Sequence, residues 1–215
     1  MAESARRLAV VLALVVGVAA VWIVRHPPAD ARVVHDDGQG VLSATSATGG
    51  VSADAPTGER TWPVTFGALA LCVTKAGARA RLVRVRTSGE PQPLGVRYQL
   101  RRVPPLSERS GAGLTWTLIY SGGGFPPNLS NARLGGTFGL VDGTISQRCN
   151  GGETTNHGFT ELLLEMIVGP AGARVARTYV DYTYDGKPHT LVIRWQMVAC
   201  GSQTRKYCST PEGTE

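Results

Sequence analysis

The chain has 215 residues, with 22 Lys or Arg against 16 Asp or Glu and a formal charge of +6, and its mean hydropathy is -0.04. This length and balance exclude a polytopic membrane protein and a highly charged disordered chain, leaving one domain with attachments or two small domains. Only Lys75, Lys187 and Lys206 are lysines, the other cations being arginines; GC-rich coding produces such a skew without selection, so the basic balance alone identifies no partner.

Residues 8–24 are an unbroken run of 17 apolar or small residues, preceded by Arg6 and Arg7 and closed by Arg25 and His26. At 1.5 Å per residue the run reaches roughly 26 Å, short but sufficient for a membrane span. A cleaved secretory signal is the competing reading, with Ala29-Asp30-Ala31 as its small-x-small site. The length of the run, Trp22 at its far end and the charges at Arg25 and His26 favour an uncleaved transmembrane signal anchor. Flanking charge does not orient it, since Arg25 and Arg32 balance Arg6 and Arg7. The cysteines do: Cys72, Cys149, Cys200 and Cys208 all lie downstream, an even set without metal-type spacing, which suits two disulfides in an oxidising compartment. Residues 27–60 hold no aromatic residue and no sustained apolar pattern, and such a stretch buries too little surface to offset its ordering entropy. The expected organisation is a cytoplasmic N-terminus over 1–7, a span over 8–24, a flexible tether over 25–60, an extracytoplasmic domain over 61–208 and a disordered tail over 209–215. The protein is thus expected at the cell membrane, single-pass.

Within the domain the hydrophobic period is two. Residues 64–73 read as a largely buried strand. The arginines then change phase, from Arg79 and Arg81 to Arg84 and Arg86; a strand cannot switch faces without an extra residue, so a β-bulge is expected around Leu82-Val83. Val96, Tyr98 and Leu100 alternate with Arg97, Gln99 and Arg101, and Leu114, Trp116, Leu118 and Tyr120 with Thr115 and Thr117. Residues 122–136, with five glycines and Pro126-Pro127, read as a long loop. Thr160, Leu162, Leu164, Met166 and Val168 share one strand face, opposite Glu161 and Glu165. Residues 179–184 and 189–199 flank Asp185-Gly186, a hairpin turn signal. The expected fold is all-β, an immunoglobulin-like sandwich of seven or eight strands behind the N-terminal transmembrane helix.

The motifs of common hydrolases, P-loops and metal sites are missing. His157 or His189 with Asp181 or Asp185 is the nearest approach to an acid–base cluster, though Asp185 already has a use in the turn. No catalytic residue, metal site or cofactor is therefore expected. Of the three possible disulfide pairings, Cys72 with Cys149 and Cys200 with Cys208 are preferred, and Cys72 with Cys200 is the main rival. Eight arginines between positions 79 and 109 face only Glu90 and Glu108. From them Arg84, Arg86, Arg97 and Arg101 are chosen as a candidate stripe for an anionic polymer, anionic lipid headgroups or an acidic protein, with the loop over residues 122–136 as a second candidate contact surface; nucleic acid is not expected, given the compartment and the lack of an aromatic platform.

The anchor and the small-residue tether, with Leu71-Cys72-Val73 in an early strand and Arg194-Trp195-Gln196-Met197 leading to Ala199-Cys200-Gly201 in the last, resemble secreted or membrane-anchored β-sandwich proteins of high-GC bacteria. The resemblance implies a compartment and no activity. The function expected is a membrane-anchored binding or accessory module of the cell envelope, recognising a protein or an anionic component. A small extracytoplasmic hydrolase and a non-catalytic assembly subunit are the alternatives.

Overall fold

The computed structural model describes residues 32–45, 49–149 and 154–208. The expected cytoplasmic segment, span and tail lie outside the described residues, and among those described no helix is long and apolar enough to cross a membrane. The chain divides into two units, Met1–Val33 and Val34–Glu215, and nearly everything described belongs to the second.

That unit is all-β. In chain order its strands are β1 (Val33–Asp36), β2 (Leu42–Thr45), β3 (Gly50–Ala53), β4 (Trp62–Val73), β5 (Ala80–Ser88), β6 (Gly95–Val103), β7 (Ser121–Phe125) and β8 (Asn128–Leu129). They continue as β9 (Thr137–Gly139), β10 (Thr144–Ile145), β11 (Phe159–Val168), β12 (Ala173–Val175), β13 (Arg177–Tyr184), β14 (Lys187–Ile193) and β15 (Gln196–Ala199). A five-stranded sheet runs β1-β14-β13-β5-β10, and a seven-stranded sheet runs β8-β7-β4-β11-β6-β9 with β2 also on β4. A small third sheet is β12-β15-β3. The inward positions of the two large sheets share one core, with Phe66, Leu69 and Leu71 from β4, Leu162 and Leu164 from β11, Leu82 from β5, Val180 from β13 and Leu191 from β14.

Three sequence expectations need correction. The tether does not extend to residue 60: β1, β2 and β3 each join a different sheet, and Val41, Leu42 and Ala44 enter the core. These strands are four residues each, too short and too poor in large apolar groups to show a period. Residues 114–120 form no regular strand, being tied to the fold by an isolated bridge between Thr115 and Leu134; Ile119 is buried and Tyr120 exposed, opposite to the expected phase. The last strand is interrupted: β14 ends at Ile193 and β15 leaves for the third sheet, where it pairs parallel to β3. These short strands also take the described total well past seven or eight.

Other expectations hold. The Asp185-Gly186 turn has both residues at positive φ, 48° and 73°, the left-handed pair that a two-residue hairpin requires. Asp181 pairs with Arg84 and Tyr182 with Leu82, so Val83 is the extra residue of the expected bulge. Cys72 is bonded to Cys149 and Cys200 to Cys208. The longer link spans 77 residues, which in the chain-entropy account stabilises by about 4 kcal/mol.

The outer face of the seven-stranded sheet is covered by the chain between β6 and β9, and an ion pair ties that cover down. Arg101 on β6 and Glu161 on β11 stand opposite each other, and both side chains are 0% exposed. Arg101 Nη1 donates to Glu161 Oε2 at 2.9 Å, while its other donors reach carbonyls of the cover: Gly135 at 2.8 Å, Thr117 at 2.9 Å and Thr115 at 2.5 Å. Glu161 Oε1 accepts from the Ile119 and Ala68 amides, each at 3.0 Å. The second of these depends on a bulge in β4, where Gly67 and Ala68 together oppose Leu163 and Ala68 is turned to φ 63°. Gly67 is needed there, because a Cβ would lie 2.6 Å from Glu161 Oε1 and 2.8 Å from the Ile119 carbonyl. Beside the pair, Ile119, Leu129 and Leu134 close a second small core on Leu163. Burial pushes the Glu161 carboxyl above the usual range, against the opposing pull of Arg101 and the two amides.

Removing one partner of such a pair leaves an uncompensated buried charge, at a cost of about 3–5 kcal/mol. Arg101→Met should therefore destabilise by that order. Adding Glu161→Gln, which keeps the acceptor for Ala68 and Ile119 but removes the charge, should restore part of the loss. Urea unfolding midpoints of the single and double variants check this, and a double variant less stable than Arg101→Met contradicts it.

Candidate functional site

The four candidate arginines separate onto two sheets. Arg97 and Arg101 lie on β6 of the seven-stranded sheet, Arg84 and Arg86 on β5 of the five-stranded sheet. Arg101 is a correction to the candidate set, because it is buried with its donors committed to Glu161 and the cover and has no surface to offer. Arg97 is exposed but is paired with the buried carboxylate of Glu165 through Nε and Nη2, near the Phe125 ring. Residues 122–136, read as an open loop, instead contain β7 and β8 and contribute Leu129 and Leu134 to the second core.

On β5 the bulge decides the surface. Ala80, Leu82 and Val85 point into the core, which places Arg81, Arg84 and Arg86 together on the outer face and leaves Val83 57% exposed beside them. Without the extra residue, Arg81 and Arg84 would point to opposite faces. On β13, Arg177, Tyr179 and Asp181 share this outer face, since Val180 and Tyr182 are core residues. Arg177 pairs with Ser88 and Tyr179 with Arg86. Arg177 and Tyr179 are missing from the sequence expectation, although the alternation of β13 alone places them with Asp181.

Asp181 is the one acid among these positions, and it lies beneath the arginines. Its carboxylate is 2% exposed and accepts from Arg84 Nη2 at 2.9 Å, from Arg86 Nη2 at 3.5 Å and from Thr190 Oγ1 at 2.6 Å. The guanidiniums stay outside, with side-chain exposures of 62% for Arg84 and 44% for Arg86. Arg86 also stacks on the Tyr179 ring at 4.4 Å, and hydrogen bonds from Ser88 and Arg177 hold the Tyr179 phenol below its ordinary range. Asp181 thus positions two guanidiniums without removing them from solvent. One carboxylate against Arg81, Arg84, Arg86 and Arg177 leaves the face cationic, which is suited to forked hydrogen bonding with carboxylates or phosphates.

The acid–base constellation is not assembled. Asp181 is opposite Thr190 while Tyr182 is opposite His189, so the aspartate and the histidine project from opposite faces of the sheet. His157 is exposed on a single helical turn, Thr154–His157. Among the described residues no group of three or more His, Cys, Asp or Glu side chains is placed to hold a metal ion. A recess of about 600 Å³ lies against the short disulfide loop, with Asp54 and Arg205 in its wall; it touches neither the arginine face nor the histidines.

His189 has a structural setting. Its ring stacks on Tyr182 at 5.1 Å, and the Tyr182 hydroxyl is 2.7 Å from His35 Nε2. Burial, His35 and Lys187 lower the His189 pKa, against an opposing pull from Asp185. The folded state therefore binds this proton less readily than the unfolded state, and the associated stability is lost as pH falls below about 6.5. Melting temperatures of the wild type and His189→Gln between neutral pH and mildly acidic pH should show a steeper decline in the wild type; equal slopes contradict the assignment. Comparison with protein-family models, with curated proteins and with solved structures finds no match, so the case for a function rests on this geometry.

Proposed function

We propose that the protein is a membrane-anchored, extracytoplasmic binding module of the cell envelope whose contact surface is the outer face of the five-stranded sheet. The observation that carries the reading is the exposed set of Arg81, Arg84, Arg86 and Arg177 above the buried Asp181. The domain, read as immunoglobulin-like in having two large antiparallel-paired sheets around one core, is the scaffold for that face. Two disulfides and the absence of free cysteines among the described residues support an oxidising compartment. The apolar run over residues 8–24 supplies the membrane attachment.

Rim electrostatics of this kind chiefly govern encounter and salt dependence. Full-length protein immobilised and exposed to detergent-solubilised envelope should retain an anionic component at low salt and release it at high salt. Arg81→Gln with Arg177→Gln should weaken retention about tenfold, and it leaves Arg84 and Arg86 in place over Asp181, so the fold is kept. Retention unchanged by the double variant or by salt overturns the assignment of the face. For the compartment, a membrane-impermeant thiol reagent applied to intact cells should label the cysteines only after an impermeant reductant is added; absence of labelling there, with labelling after lysis and reduction, places the domain in the cytoplasm instead.

A further inference from the structure

The arrangement of the cations narrows the class of ligand, given the reading of the face above. Arg81, Arg84 and Arg86 lie along one strand, and Arg177 continues their line from the adjacent strand, opposite Ser88. From Thr183, which pairs with Arg81, to Arg177 the register covers six steps of β13, or about 20 Å at the rise of a strand. The positions paired beside this line are uncharged: Thr144 pairs with Arg81 on the β10 side, with the exposed Asp142 two residues before it, and Thr190 and Val192 occupy the equivalent face of β14, opposite Asp181 and Tyr179. The cations form a line one to two strands wide. Between them stand apolar contact points, the exposed Val83 and the Tyr179 ring beneath Arg86.

A compact anion such as orthophosphate can reach only one or two of these guanidiniums, because neighbours two positions apart on a strand are separated by about 7 Å. An extended chain with an anionic group on each repeat can meet all four, with its uncharged segments passing over Val83 and Tyr179. We infer that the strip takes a linear polymer carrying one carboxylate or phosphate per repeat, laid along β5, with Asp181 holding Arg84 and Arg86 upright to meet it. The forked geometry of arginine serves either anion.

The test is binding of full-length protein in detergent micelles to size-fractionated oligogalacturonate and to size-fractionated polyphosphate. Orthophosphate and vesicles containing phosphatidylglycerol serve as the compact and lipid-surface arms. Affinity for at least one polymer should rise steeply with chain length, through multivalency, and level off once the oligomer spans about 20 Å. The polymer with the steeper rise identifies the anion. For the longest chains the logarithm of the binding constant should fall with the logarithm of salt at a slope of about -2 to -3, as release of counterions from three or four contacts requires. Arg81→Gln with Arg177→Gln, which shortens the line at both ends, should cut the affinity for long chains about tenfold or more and move the plateau to shorter ones. Affinity independent of chain length, binding to vesicles without binding to either polymer, or binding to none of the four overturns the inference. If the double variant still loses envelope retention while length dependence is absent, the polymer is wrong and the basic face stands; if retention is also unaffected, both fail.

Discussion

The buried pair between Arg101 and Glu161 is the interaction on which the seven-stranded sheet depends. A sheet with charged residues on its outer face would ordinarily leave that face to water. Here Arg101 and Glu161 are fully buried, and the chain between β6 and β9 provides the acceptors and donors that make this tolerable. The arginine gathers three carbonyls of that segment, and the glutamate takes one amide from it and one from the β4 bulge. A segment with little regular structure is thereby given a single position. The pair is better described as specifying the conformation of the cover than as adding net stability, since desolvating two charges offsets much of their attraction.

The same chemistry is used differently on the other large sheet. Asp181 is as buried as Glu161, but its arginine partners remain exposed, and among the described residues no segment comparable to the cover holds them down. The carboxylate there orients surface groups in place of fixing a loop. What sets these groups in line is the extra residue at Val83, which returns Arg84 and Arg86 to the face already occupied by Arg81. A local backbone irregularity thus determines the charge pattern of a whole sheet face, and with it the ligand class that the face suits.

The segment preceding β4 has a different role from a spacer. Each of its short strands completes a sheet, and Leu42 and Ala44 are as deeply buried as residues of the long strands. Together with the Cys72–Cys149 link, which joins β4 to the chain just beyond β10, β2 ties the C-terminal end of β4 into the fold. The His35–Tyr182 hydrogen bond does the same for β1, connecting it to the centre of the five-stranded sheet. A domain of this size gains much from such closures, because each removes unfolded-chain freedom or an exposed sheet edge.

Much of this is legible in the amino-acid sequence. Alternation placed β6, β11 and the β13–β14 hairpin; the phase change of the arginines located the bulge at Val83; cysteine number and position pointed to both disulfides. The strands, the turn and the bulge are local, set by side-chain period and turn chemistry, and the sequence alone determined them; for the disulfides it left Cys72 with Cys200 as a rival pairing, which the fold decided. What only the tertiary structure decided is which outer face is open. Arg97, Arg101, Arg84 and Arg86 look alike in sequence, since each alternates with apolar residues. Their fates differ because residues 104–136 lie over one sheet, where the alternation of residues 114–120 forms no strand, and the position of the segment is set by long-range contacts to Arg101 and Glu161 that no local pattern encodes. The short strands β1 to β3 were hidden for the same reason, since a four-residue strand paired with a partner elsewhere in the chain carries its signal in that partner.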